Sequence, residues 1–268
     1  LGGEANLYWL WRAHRSGQEL MHGSVVSSHG RPLHIFREVQ EVAEGFSVAA
    51  EFIAETRPAP CKLAVHVSSV AWAQFQFQSV ANEFRYIEYL QERVCRPLMD
   101  AHLRADFIDP AAPLDTYGLV YSPFLPALDE SGLRERLYAW IKAGGTWVAG
   151  PLTDIRTIDG AKFPHAPFGS LEEWAGVYCT CELPGEPRDF AVQWADGRTT
   201  PGSLWYSGFE SRRAPVLATY ADGPLEGLAA ITETPMGKGR VVMLGTLPPA
   251  DEMQRLLVQL AAQCEIHP

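Results

Sequence analysis

AGGTWVAGPLT, residues 143–153, decides the fold. Two glycines, Gly144 and Gly145, stop a preceding helical pattern, because glycine takes the left-handed backbone a helix C-terminus needs at little cost. The next four residues, TWVA, form a short apolar run that predicts a buried strand. A helix over 130–143 followed by a strand over 146–149 is one turn of an alternating pattern that extends in both directions. Upstream, 62–68 predicts a strand, 84–103 a helix, 105–108 a strand and, after the turn at Asp109 and Pro110, 117–121 another strand. Strands alternating with helices imply a parallel sheet covered on both faces. From 154 to about 230 the texture becomes rich in proline, glycine and aromatics, with short alternating runs such as FAVQW at 190–194, which predicts an antiparallel insertion. The first pattern then resumes: RVVMLG at 240–245 suits a central parallel strand and 249–264 a closing helix. The expected unit is a three-layer α/β domain over 59–268, interrupted by a β-rich insertion at about 156–235.

Such a domain invites a nucleotide or a nucleophile, and the sequence offers neither where it would be needed. The loop expected after the first strand, SSVAWAQFQF at 68–77, has no glycine, so a phosphate cradle is absent. MGKGR at 236–240 precedes a strand and predicts a turn between two strands. The elbow after residue 149 reads GPLT and the one after 121 reads SPFLP; neither is a cysteine or serine flanked by glycines on a strand-to-helix turn. An aromatic-rich helix over 75–89 is expected to serve packing or assembly.

The 268 residues are 47% hydrophobic and carry 22 basic against 32 acidic side chains, a net charge of −10. That sign argues against nucleic acid and anionic membrane as partners, and no apolar run reaches the roughly 18 residues of a membrane span. Five cysteines in an odd, scattered set suggest reduced thiols in a cytoplasm rather than a disulfide framework. The close pair Cys179 and Cys181 lacks the further ligands of a zinc site and reads as two partly buried thiols on one strand face. No metal or cofactor is expected.

Ahead of this domain lies a different piece. YWLWRAHRSGQELMHG, 8–23, follows a chain start at Leu1 that reads as an interior segment of something larger. Residues 6–11 predict an apolar strand, a polar loop follows, and 32–55 shows helical spacing of Ile35, Val39, Val42, Phe46, Val48, Phe52 and Ile53. Pro58 and Pro60 mark a linker. Glu19 and His22, three apart, suit either hydroxyl recognition, as acceptor and donor, or a simple loop cap; Trp9 and Trp11 suit either an aromatic wall or core.

Trp11 and Arg12 followed by Glu19 and His22 resemble the last barrel strand and loop of the glycoside hydrolase family 42 β-galactosidases, and the likeness continues through Gly23, Phe36, Arg37, Glu38 and the segment 143–148. The resemblance implies a terminal βα unit of a TIM barrel at 1–58, then a class I amidotransferase-like (flavodoxin-like) three-layer trimerisation domain at 59–268. It implies that Glu19 and His22 hydrogen-bond the hydroxyls of a β-galactoside, that Trp9 lies against the sugar's apolar face, that Trp11 and Arg12 brace the barrel end, and that the protein is a homotrimer. Loops at the carboxyl ends of barrel strands build such sites. A retaining glycosidase needs two carboxyl groups about 5 to 5.5 Å apart, and in this family both precede the matching segment. The Asn82–Glu83 pair falls in the second domain, so catalytic residues are expected upstream and this chain alone is expected to be inactive. The alternatives are a stand-alone amidotransferase-like binding or assembly module without glycosidase activity, and an amidotransferase-like enzyme acting elsewhere on the fold.

Overall fold

A strand exists only where another strand pairs with it, and this separates the two halves of the chain. In the computed structural model, which describes residues 5–80, 84–185 and 189–267, the chain divides into a unit of residues 1–60 and a unit of residues 61–268.

In the first unit the expected strand over 6–11 does not form a ladder. Among the described residues of this unit only two isolated bridges occur, Arg12 with Val26 and Val26 with Pro32, and Leu7, Trp9 and Trp11 are exposed while Leu10, Val25 and Val26 are buried. An apolar extended segment without a paired neighbour satisfies few of its backbone groups internally. The expected helix is present in two pieces, α1 (Phe36–Val48) and α2 (Ala50–Glu55), broken at Ala49. It stops at Thr56, whose backbone is extended and whose hydroxyl donates to the Phe52 carbonyl, two residues before Pro58. Neither helix buries a residue. Val42, Phe46 and Ile53 therefore form an apolar stripe without a cover inside this unit.

The second unit begins with β1 (Leu63–His66) and α3 (Ser69–Phe77). The latter corrects the loop read over 68–77: Ser68 caps it, its hydroxyl accepting from the Ala71 N–H at 2.9 Å. Nor is 75–89 one helix, since α3 ends at Phe77 and α4 (Tyr86–Leu90) starts anew; Asn82 and Glu83 lie outside the described residues. A π-turn at Gln91–Cys95 joins α4 to α5 (Arg96–Asp100). It sits where Pro97, lacking an N–H, removes a bond from the regular ladder.

There follow β2 (Asp106–Ile108), β3 (Leu119–Ser122), a 3-10 turn at Glu130–Gly132, α6 (Leu133–Ala143) and β4 (Thr146–Ala149). After α7 (Leu171–Ala175) come the inserted strands β5 (Val177–Pro184), β6 (Ala191–Trp194), β7 (Thr199–Pro201), β8 (Trp205–Ser211), β9 (Val216–Tyr220) and β10 (Ala229–Met236). The chain closes with β11 (Gly239–Leu244) and α8 (Ala250–Gln263). Along the sheet the order is β2-β1-β3-β4-β11-β10-β9-β6-β7, with β5 on β8 and β8 on β10. The first five members are parallel, in the 2-1-3-4-5 order of a doubly wound sheet. β11 is parallel to β4 and antiparallel to β10, so it is the seam between two kinds of sheet rather than a wholly parallel strand.

Met236 pairs with Gly239 across a two-residue turn, as the MGKGR segment predicts. Gly237 stands there at φ +66, its Cα so close to the Lys142 carbonyl that a Cβ would lie 2.7 Å from that oxygen. Cys179 and Cys181 lie on β5 with a bulge between them, which breaks the simple alternation assumed for two thiols on one face. The core is built from all four residues of β1, β3 and β4, from Leu133, Leu137 and Ile141 of α6, and from Met253, Leu256, Leu257 and Leu260 of α8. Each valine, leucine, isoleucine or methionine among them contributes about 1.5–3 kcal/mol on burial. Among the described residues no helix is long and apolar enough to cross a membrane.

Candidate functional site

The loop that carries Glu19 and His22 is pinned at its base. Val25 and Val26 donate their N–H groups to the carbonyls of Leu10 and Trp11 at 3.0 and 2.8 Å, and Ala13 donates to Val26. Arg12 closes the same neck, both Nε and Nη2 donating to the Ser28 carbonyl, while Trp11 sits 6.2 Å from the Phe36 ring. Both residues thus brace the loop base. Buried Leu10, Val25 and Val26 anchor the neck, and the polar span from 13 to 24 projects from it.

Within that span a turn in which the His22 N–H donates to the Glu19 carbonyl at 3.2 Å brings the two side chains to one side. One carboxylate oxygen of Glu19, Oε2, lies 3.3 Å from His14 Nε2 and 4.0 Å from His22 Nδ1. Glu19 keeps 42% of its side chain exposed, so its second oxygen is available to a solute. Histidine N–H groups and a carboxylate in one exposed loop can donate to and accept from neighbouring hydroxyls. His14 joins Glu19 and His22 here without having been singled out from sequence; five residues separate it from Glu19, a spacing with no periodic signature. Trp9 is 78% exposed, and among the described residues it makes no ring contact or hydrogen bond with Glu19 or His22.

The second unit was expected to have no nucleophile at its strand ends, and the structure adds a detail there. Parallel register places Val65 beside Tyr121, so His66 and Ser122 fall together one step further, with Nδ1 and Oγ 2.7 Å apart. Trp147 Nε1 donates to the same hydroxyl at 2.8 Å. Both residues are wholly buried, and burial, aided by Arg136 and opposed by Asp109, pushes the His66 pKa down to about 4. The imidazole is therefore neutral, and its Nε2 has no partner. A serine sealed from solvent cannot meet a substrate, so this pair ties β1, β3 and β4 together. Beside it, Ser68 donates to Glu130 Oε2 at 2.7 Å and its N–H donates to Tyr86 Oη. Burial raises the Glu130 carboxyl and pushes Tyr86 up to about 12. Among the described residues no group of three or more histidines, cysteines or carboxylates could hold a metal ion.

Comparison with known proteins places this architecture. Residues 64–267 match the family described as the β-galactosidase trimerisation domain, and residues 1–48 match the family described as β-galactosidase. The β-galactosidase YesZ of Bacillus subtilis is 32% identical over 262 residues, covering 97% of this chain and 39% of its own length. The corresponding protein of Bacillus licheniformis is also 32% identical, over 99% of this chain and 40% of its own. Among solved structures, the E323A variant of Gan42B, a GH42 β-galactosidase from G. stearothermophilus, superposes with a TM-score of 0.88 at 24% identity over 98% of this chain and 38% of its own. The chain thus spans about 39% of the length of the curated relatives it matches, and by the match over 64–267 it belongs to the glycoside hydrolase family 42 β-galactosidases.

Proposed function

We propose that residues 1–268 are the C-terminal part of a retaining β-galactosidase that hydrolyses terminal β-D-galactosides, with a barrel end at 1–58 and a trimerisation domain at 59–268. Glu19 and His22 hydrogen-bond the galactosyl hydroxyls, and Trp9 stacks on the apolar face of the sugar. The acid/base and nucleophile carboxylates come from polypeptide that this chain does not span, in keeping with its 39% share of the relatives' length. The observation that carries the reading is the Glu19 carboxylate set between two imidazoles on an exposed, base-pinned loop, in a segment that matches the family described as β-galactosidase. The 2-1-3-4-5 strand order supports an amidotransferase-like ancestry for the second domain, which serves assembly into a homotrimer. Five free cysteines fit a reducing cytoplasm.

The test is steady-state kinetics on a chromogenic β-galactoside with the full-length protein and its Glu19→Gln variant. Hydrogen bonds to a charged group are worth about 1.5–3 kcal/mol each, so kcat/KM falls roughly 10- to 150-fold per bond lost, while the melting temperature of this half-exposed position stays put. Undiminished kcat/KM refutes the assignment of Glu19. Appreciable turnover by residues 1–268 alone refutes the placement of the catalytic pair outside them.

A further inference from the structure

Arg156 follows the turn after β4 and is 8% exposed, yet among the described residues its guanidinium has no hydrogen bond, ion pair or ring contact. Burial is the sole influence on its pKa, which it lowers. A buried cation without a counter-charge is costly. It lines an open groove of about 500 Å³ between α3 and the turn at 156–160. The helix side of the groove is Val70, Ala73, Gln74 and Phe77, spaced i, i+3, i+4 and i+7 so that they share one face. Phe77 is 95% exposed, and Ile158 opposes it as another exposed apolar side chain. Gln74 Nε2 holds the turn by donating to the carbonyls of Thr157 and Ile158 at 3.0 and 2.9 Å, which leaves its buried Oε1 without a partner.

Thus one small groove combines an unpaired guanidinium and two uncovered apolar side chains. Arginine and aromatic anchors at the centre of a patch are the composition of protein interfaces. We propose that this groove receives a neighbouring copy of the same chain, a carboxylate of that copy pairing with Arg156 and its apolar side chains covering Phe77 and Ile158. The inference rests on the trimer reading above and locates the contact. Two observations favour a second copy. The groove lies in the unit that matches a trimerisation domain, and with 32 acidic against 22 basic side chains the chain carries carboxylates in excess. In a cyclic trimer the contact is heterologous, so the groove meets a different surface of its neighbour and Arg156 is not forced against its own copy. Carboxylate on guanidinium is bidentate and charge-assisted.

Sedimentation velocity over a dilution series of the full-length protein, with Phe77→Ser and Arg156→Met, tests this. Trimeric wild type and at least a tenfold weaker association for each variant, with unchanged circular dichroism, support the proposal; Phe77 is exposed, so its variant folds even if the arginine variant does not. A monomeric wild type refutes the trimer reading itself. Trimeric variants with unchanged association refute only the groove as the contact. That result with a lower melting temperature assigns the groove to other parts of the same polypeptide, and that result with loss of a melting-temperature rise given by inorganic phosphate assigns it to a free anion; either overturns the proposal.

Discussion

Replacing Arg134 with methionine strips the guanidinium from a wholly buried carboxylate. Asp154 has no exposed surface and sits at φ +58, with Arg134 Nη2 donating to Oδ1 at 2.9 Å and the N–H groups of Ser170 and Leu171 donating to Oδ2 at 2.5 and 3.0 Å. Removing one member of a buried ion pair costs about 3–5 kcal/mol. The two backbone donors remain, and Arg134 also loses its bond to Asp129 near the surface, so about 3 kcal/mol is expected at pH 7. Burial raises the Asp154 pKa and Arg134 holds that rise in check; without the arginine the pKa climbs further. A carboxyl whose folded pKa is raised binds its proton more tightly in the folded chain, so its favourable contribution is full at low pH and is lost as pH rises through the folded value. The deficit of the variant relative to wild type is therefore largest at neutral pH and shrinks on acidification. Urea titrations at pH 7 and pH 4.5 measure it as a shift in midpoint at constant slope. Asp154→Asn, which tolerates the left-handed backbone, should remove most of the cost of Arg134→Met in a double-mutant cycle. A deficit below about 1 kcal/mol, or one equal at both pH values, refutes the argument.

His66 acts with the opposite sign. Its folded pKa of about 4 is below the unfolded value, so stability on the order of 3 kcal/mol is present above about pH 6.5 and is lost as pH falls toward 4; His66→Gln should flatten this acid limb in urea midpoints against pH, and an unchanged limb would show that another group causes it. Gly237→Ala places a Cβ 2.7 Å from the Lys142 carbonyl at a backbone of φ +66, where Lys238 N–H also donates to that oxygen. A loss of about 1–3 kcal/mol is expected by denaturant titration, and wild-type stability would show that the hairpin does not bear on the end of α6.

Where one element decided its own conformation, the sequence was readable. TWVA at 146–149 became β4 residue for residue, and the glycines around Lys238 made the turn into β11. α3 has no such signature because its apolar residues circle the helix, with Phe75 inside and Phe77 and Trp72 outside; its one clear signal is the Ser68 cap. The strand expected at 6–11 failed for the converse reason, since pairing depends on a neighbour and not on composition. At the candidate site, Glu19 and His22 were visible through their three-residue spacing, which one turn converts into proximity. His14 reaches the same carboxylate through the loop's path, and His66 reaches Ser122 through strand register. Neither relation has a periodic trace in the chain.

The insertion between β4 and β11 also governs timing. Arg240 of β11 and Thr146 of β4 stand side by side in the sheet although 94 residues separate them in the chain. A ribosome adding about 5–20 residues per second needs roughly 5–19 s to deliver that partner. Throughout that interval the nascent chain carries the unpaired, largely apolar edge of β4, which is the kind of edge that recruits foreign strands. The two parts of the sheet are thus joined only when the last strand, β11, enters between β4 and β10, and the interval before it emerges is when the nascent chain is most open to foreign pairing.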